Sequence, residues 1–247
     1  MKLKDFISLF FITIVSMNSS AAKDVDITYT LNINILGADV KIGQIKSNLK
    51  IDNNKYQLLF TLKSEKFVNF IAPIDANGNV YGKINNSILI PTNYEYNYIK
   101  KDKIKNTKIQ FRKSNVVKST TLPSFDKDKL SPISASTLDN VIDPITAIIY
   151  LGDYKLNNGC TLNYRIYDGK RRYDLNYTNS FDDNGYKICR LSRKKIGGFK
   201  LKDKKIDAFQ PAEEIDTYYK KINDNYILDK IITRSKFSNI IINVSYN

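Results

Sequence analysis

The chain predicts a mainly β fold: an antiparallel meander curled into an open or closed barrel-like sheet, with one short helical insertion near residues 137–151. Three observations carry this expectation. Apolar side chains recur at every second residue over many short segments, the period of a half-buried strand. Turn-forming pairs such as Asn77-Gly78, Asp168-Gly169 and Asn184-Gly185 punctuate those segments in the manner of hairpins. A single stretch switches to helical periodicity and carries its own start signal.

The first half, residues 24–118, reads as a meander. Ile27, Tyr29, Leu31, Ile33 and Ile35 alternate with polar residues, and Gly37-Ala38 turns the chain into a second strand ending near Ile51. Asp52, Asn53 and Asn54 supply a turn before Tyr56–Ser64. Asn77-Gly78 is expected to form a hairpin turn ahead of Val80–Ile84, and Asn85-Asn86 another before Ile88. Tyr94, Tyr96 and Tyr98 share one face of the next strand. Lys100–Lys105 reads as a charged turn, after which Ile109–Val117 closes the run.

Residues 119–152 connect the halves. The early part is rich in Ser, Pro, Asp and Lys, and reads as a loop. In the helical stretch Asp143 suits the N-cap and Pro144 the first helical position, with Ile145, Ile148 and Ile149 on one face and Gly152 as the terminator. This helix reads either as a plug in the core or as a lid over a cavity.

The second half, residues 160–247, returns to alternation. Leu162, Tyr164 and Ile166 lead to Asp168-Gly169, read as a two-residue hairpin turn, and Tyr173, Leu175 and Tyr177 form the return strand. Gly197-Gly198 breaks the following segment, and three final strands are expected over Glu214–Ile222, Tyr226–Arg234 and Phe237–Tyr246. Residues 23–247 are read as one β-rich domain.

Residues 1–22 have the order of a secretory signal. Lys2 and Lys4 precede an apolar run from Phe6 to Val15, and Ser20-Ala21-Ala22 offers the small residues a signal peptidase reads, which puts the cut after Ala22. The run is shorter than the roughly 20 residues of a permanent membrane helix. A periplasmic location follows as the expectation, with no transmembrane segment after cleavage. In such an oxidising compartment the chain's two cysteines, Cys160 and Cys189, have one intramolecular pairing open to them, a disulfide closing a loop of about 30 residues, and each cysteine is read as opening a strand.

Composition narrows the chemistry. The sequence has no histidine, which removes Ser-His-Asp and Cys-His catalysis and the common zinc sites. No phosphate-cradling glycine loop occurs. No catalytic residue, metal ligand or cofactor is assigned, and a non-enzymatic role is expected. The net charge of +14 favours an anionic partner such as a lipid headgroup or an envelope glycan, and export argues against nucleic acid. Abundant Lys, Asn, Ile and Tyr also fit a plain coding bias.

Two stretches carry a resemblance. One is Val141-Ile142-Asp143-Pro144-Ile145-Thr146-Ala147. The other is Cys160, then Tyr167-Asp168-Gly169-Lys170-Arg171-Arg172-Tyr173-Asp174-Leu175, then Cys189-Arg190 and Ile196-Gly197-Gly198-Phe199. In order and spacing they resemble the domain-of-unknown-function family 3108, exported proteobacterial envelope proteins. The resemblance implies an envelope location and a β-rich fold, and no activity.

The Asp168 hairpin is the candidate ligand-binding element. Asp168, Lys170, Arg171, Arg172, Tyr173 and Asp174 lie on it, and guanidinium groups suit phosphate or carboxylate partners. If the strand begins at Lys170, alternation puts Lys170 and Arg172 on one face and Arg171 on the other. Ion pairing of Asp168 and Asp174 with the arginines is the competing role. The sequence thus supports a periplasmic binding protein for a lipid, lipopolysaccharide or other anionic amphipathic ligand. The alternatives are a structural or interaction module of an envelope assembly, docking by a strand edge, and a histidine-free hydrolase using two of Asp139, Asp143, Asp168 and Asp174.

Overall fold

The computed structural model describes residues 23–35, 38–65, 75–86, 88–100, 103–152, 159–201, 214–223, 225–234 and 239–246. The expected signal segment and its cut after Ala22 lie outside the described residues, as do residues 202–213.

Thirteen antiparallel strands form one sheet. The first half supplies β1 (Lys23–Ile35), β2 (Ala38–Asp52), β3 (Lys55–Ser64), β4 (Asp75–Asn85), β5 (Ile88–Lys100), β6 (Lys103–Arg112) and β7 (Asn115–Leu122). The second supplies β8 (Tyr164–Tyr167), β9 (Arg172–Asp183), β10 (Tyr186–Gly197), β11 (Glu214–Ile222), β12 (Asn225–Arg234) and β13 (Asn239–Tyr246). Each half is a meander, and β1 pairs with β13 to join them, so the spatial order runs β7 through β1, then β13 through β8.

The sheet is not closed, and β7 and β8 are its edges. Val141 and Ile142 bridge the turn between β6 and β7 to β8. The Val141 N–H donates to the Ser114 carbonyl at 2.8 Å, while Ile142 donates to Arg165 O at 2.9 Å and accepts from Tyr167 N at 3.0 Å. The backbone groups of an edge strand must find partners when buried, and β8 finds them here rather than on β7.

Cross-strand register lines up the interior. Leu49, Leu58, Val80, Tyr94 and Ile109 are successive partners across β2 to β6, and all are buried. Helix α1 (Pro144–Gly152), the one α-helix among the described residues, packs into this core, burying Ile145, Ala147, Ile149, Tyr150 and Leu151. It is pinned to both halves. Tyr56 Oη lies 2.9 Å from Thr146 Oγ1, Leu89 N–H donates to Tyr150 Oη at 2.7 Å, and Tyr219 Oη donates to Leu151 O at 2.8 Å. The plug reading of the helix holds. Asp143 caps it as expected: Oδ1 accepts from the N–H groups of Ile145 and Thr146, both at 2.9 Å, and Oδ2 accepts from Thr146 Oγ1 at 2.7 Å. Complete burial lifts the Asp143 carboxyl to about 6 in spite of these donors.

Three local expectations are corrected. Asn77-Gly78 lies inside β4 rather than in a turn, because the Phe60 ring of β3 covers Gly78 across the ladder and occupies the space of a Cβ. Neither cysteine opens a strand. Cys160 lies in a turn before β8 at φ +72°, and Cys189 is well within β10. The two are disulfide-bonded, with Cα atoms 5.8 Å apart. The Asp168 turn has four residues rather than two, and β9 starts only at Arg172.

Candidate functional site

The chain segment 168–171 is folded by one side chain. Asp168 Oδ1 accepts from the N–H of Lys170 at 2.9 Å and of Arg171 at 2.6 Å, and the Asp168 N–H donates to Arg171 O at 3.1 Å. Oδ2 accepts from Arg171 Nε at 2.8 Å. Asp side chains favour such local turns because a carboxylate mimics the backbone acceptor. Beneath the turn Gly198, at φ +79°, lies directly against the Lys170 carbonyl, where no Cβ fits. Residues 129–131 then run alongside this end of β10. Gly198 donates to Ser131 O at 2.8 Å, and Ser131 donates to Phe199 O at 2.7 Å.

This turn overhangs a cavity of about 1020 Å³. One wall is the inner face of β5, where the rings of Tyr94, Tyr96 and Tyr98 stack in series at 6.5 and 6.4 Å. Tyr173, Phe125 and the start of α1, at Pro144 and Ile145, add apolar surface. Lys105, Lys170 and Arg171 supply positive charge, and Lys170 Nζ lies 5.9 Å from the Phe125 ring centroid. A chamber with apolar walls and a few convergent charged groups is the usual form of a small-molecule site.

The electrostatics agree with that layout. Burial, together with Arg171, Lys105 and Lys200, holds the Lys170 ammonium below its ordinary range against the pull of Asp168. Burial opposes the Arg171 charge, but the Asp168 carboxylate outweighs it and raises that group. Burial pushes Tyr96 up to about 12, and Tyr94 and Tyr173 also rise, with Asp168 adding to each. Tyr94, Tyr96 and Tyr173 are therefore neutral phenols at ordinary pH. Among the described lining residues Asp168 is the sole carboxylate, and its oxygens are occupied by the turn.

Similarity to known proteins bears on the same residues. A family model described as Protein of unknown function (DUF3108) matches residues 26–225. The chain belongs to the DUF3108 family. No curated protein matches this DUF3108 chain. A solved structure, a β-barrel-like protein of domain of unknown function DUF1849 from Brucella abortus, is similar at 8% identity and a TM-score of 0.46, covering 91% of this chain and 98% of that one.

In this DUF3108 member the six hairpin residues divide. Asp168, Lys170, Arg171 and Tyr173 line the cavity. Arg172 and Asp174 do not. Arg172 is buried behind the turn, where Nε donates to Thr137 O at 2.7 Å and Nη1 donates to Tyr173 O and Asp174 Oδ1, both at 2.6 Å. The sequence expectation that Lys170 and Arg172 share a face is thus corrected. Strand alternation does not extend through residues that the Asp168 carboxylate has bent into a turn. Of the four acids weighed for a hydrolase, Asp143 is buried as a helix cap, Asp174 is bonded to Arg172 and Asp168 is bonded within its turn; only Asp168 of the four lines the cavity. Sequence reasoning missed Lys105, Phe125 and Thr107 as lining residues. Only their placement across the sheet from the Asp168 turn reveals them.

Proposed function

We propose that the protein is a non-enzymatic binding module of the cell envelope that holds an amphipathic anion. The tyrosine ladder and Phe125 receive the apolar portion, while Lys105, Lys170 and Arg171 meet the charged end. The observation that carries this reading is the joint occurrence, in one chamber of about 1020 Å³, of three stacked tyrosines and three cations with a single, already bonded carboxylate among the described lining residues. Aromatic rings offer large contact area to acyl chains, and a guanidinium fork suits phosphate. Export to the periplasm belongs to the proposal. The Cys160–Cys189 bond supports it, since such bonds persist in oxidising compartments.

The test is calorimetric titration with dodecyl phosphate, compared with dodecyltrimethylammonium and with inorganic phosphate. The expected order is binding of dodecyl phosphate alone, weakened by Arg171→Ala and by Tyr96→Ala. Equal binding of the cationic surfactant, or no heat from dodecyl phosphate, overturns the reading. Docking through the edge of β8 has less support, because Ile142 already pairs with its outer side.

A further inference from the structure

The rim of the cavity has a composition that its interior does not require. Ile99 of β5 and Ile104 of β6 are direct cross-strand partners at the end of the sheet, 39% and 65% exposed. Alternation from Tyr98, which lines the cavity, turns Ile99 outward, while Ile104 belongs to the cavity lining and stays largely exposed. Leu122 ends the neighbouring strand β7 opposite Asn106 and is 66% exposed. Single exposed apolar side chains are ordinary, but a contiguous group beside a cavity mouth marks an interaction surface.

A second, smaller chamber of about 540 Å³ lies alongside and shares Phe125 and Lys170 with the first. Its lining adds Lys129, Lys200 and Leu201, the last 60% exposed, together with Asp128 and with Asp126, which is ion-paired to Lys129 at 2.8 Å. The same end of the fold therefore displays large apolar side chains among an excess of basic ones: Lys105, Lys129, Lys170, Arg171 and Lys200 against Asp126, Asp128 and Asp168. Arg171, Lys105 and Lys200 all act on Lys170 as repelling charges, so the cations are near enough to sum their fields.

We propose that this end of the sheet docks on an anionic lipid surface, with Ile99, Ile104 and Leu122 entering the headgroup region and the lysines meeting lipid phosphates, so that the tyrosine-walled cavity opens toward the bilayer. Charge complementarity selects this occupant. A second copy meeting the same face by two-fold symmetry would bring lysine against lysine, whereas each basic side chain gains near an anionic membrane. The proposal rests on the amphipathic-anion reading only for what the docked cavity would receive.

The experiment is flotation of the purified protein with vesicles of phosphatidylcholine alone and of phosphatidylcholine mixed with phosphatidylglycerol. The expected result is co-flotation with the anionic vesicles only, reversed by high salt as charge screening requires. The double variant I99E/L122E, at exposed positions outside the cavity lining, is expected to lower the partition at least about tenfold while dodecyl phosphate binding in solution stays unchanged. Lys200→Gln is expected to lower it about fivefold. A wild-type protein that floats with neither vesicle, or floats equally with both, overturns the proposal, as does an I99E/L122E variant that floats like wild type. Vesicle binding without any dodecyl phosphate binding would support docking and overturn the cavity reading instead.

Discussion

Asp168 holds Arg171 at two points, accepting the backbone N–H on Oδ1 at 2.6 Å and the guanidinium Nε on Oδ2 at 2.8 Å. The same carboxylate therefore shapes the turn and aims one of the cavity's cations. These roles separate by substitution. Asp168→Asn keeps an Oδ1 that can accept from Lys170 and Arg171, so the turn survives, while the negative charge beside two cations is lost. Dodecyl phosphate binding is expected to tighten several-fold, with less than about 1 kcal/mol of stability lost. Asp168→Ala removes the acceptors as well. It is expected to cost roughly 1–3 kcal/mol and to weaken binding. Urea melts paired with titration of both variants check this, and equal behaviour of the two would refute the division of roles.

Asp143 makes stability depend on pH in the direction opposite to most carboxylates. Its folded carboxyl titrates near 6, raised by burial from an ordinary value of 3.8. Between those values the folded chain holds a proton that the unfolded chain has released, so stability falls as pH rises through the window. The full effect is up to about 3 kcal/mol, at roughly 1.4 kcal/mol per pH unit. Asp216 acts lower on the scale. Burial opposes its charge, but Arg190 and Arg234 outweigh this and keep it below 3.8, so its stabilisation is lost only under more acid conditions. Asp143→Asn can still cap Ile145 and Thr146 and is expected to abolish the slope between pH about 4 and about 6. Denaturant midpoints of both proteins across that range measure it, and an unchanged slope in the variant would locate the titration elsewhere.

What was legible in the sequence was local. Alternation marked β1 and put Tyr94, Tyr96 and Tyr98 on one face, although Asn32, a polar position of that pattern, is buried where the pairing of β1 with β2 shifts register. Asp143-Pro144 marked the start of α1 because cap and first-turn chemistry act over three residues. What was not legible depended on distant partners. Asn77-Gly78 has the chemistry of a turn, but the Phe60 ring from the neighbouring strand keeps it extended. The sequence offered Arg171 and Arg172 as near equivalents. Only the length of the Asp168 turn, which depends on Gly198 fitting under the Lys170 carbonyl, sends one into the cavity and the other into the interior. Phe125 lay in a stretch read as a loop, with no local signal that it would face the tyrosines.

Gly198 accordingly tests how the turn is supported. A Cβ there would collide with the Lys170 carbonyl and Arg171 Cα, both backbone atoms of the turn, and the residue has φ +79°. Strain and overpacking together give an expected cost of roughly 2–4 kcal/mol for Gly198→Ala. Gly185 is the control. It has φ +80° but open space where a Cβ would go, so Gly185→Ala should cost only about 1–2 kcal/mol. Gly198→Ala is also expected to weaken dodecyl phosphate binding, because Lys170 and Arg171 move with the turn, whereas Gly185→Ala is expected to leave binding unaltered. Similar losses in the two variants would mean that backbone conformation alone, and not the close approach to Lys170, accounts for the glycine.

The Cys160–Cys189 bond ties the turn before β8 to the middle of β10, 29 residues on, and so fixes the start of the hairpin that ends at the cavity. Both sulfurs are buried in a cluster with Tyr219, Leu228 and Ile231, beside the main core. In the chain-entropy account a loop of this length is worth about 3.5 kcal/mol. For a domain of this size that corresponds to a fall in melting temperature of roughly 10 °C on reduction or in the C160S/C189S double variant. The serine variant is the sharper test, since it also puts two hydroxyls into an apolar cluster and is expected to lose somewhat more than reduction does. Each state should retain its strand circular dichroism below the transition, because β9 and β10 stay paired along their length without the bond. A reduced protein that melts at the temperature of the oxidised one would show that the cross-link contributes nothing to the placement of β8.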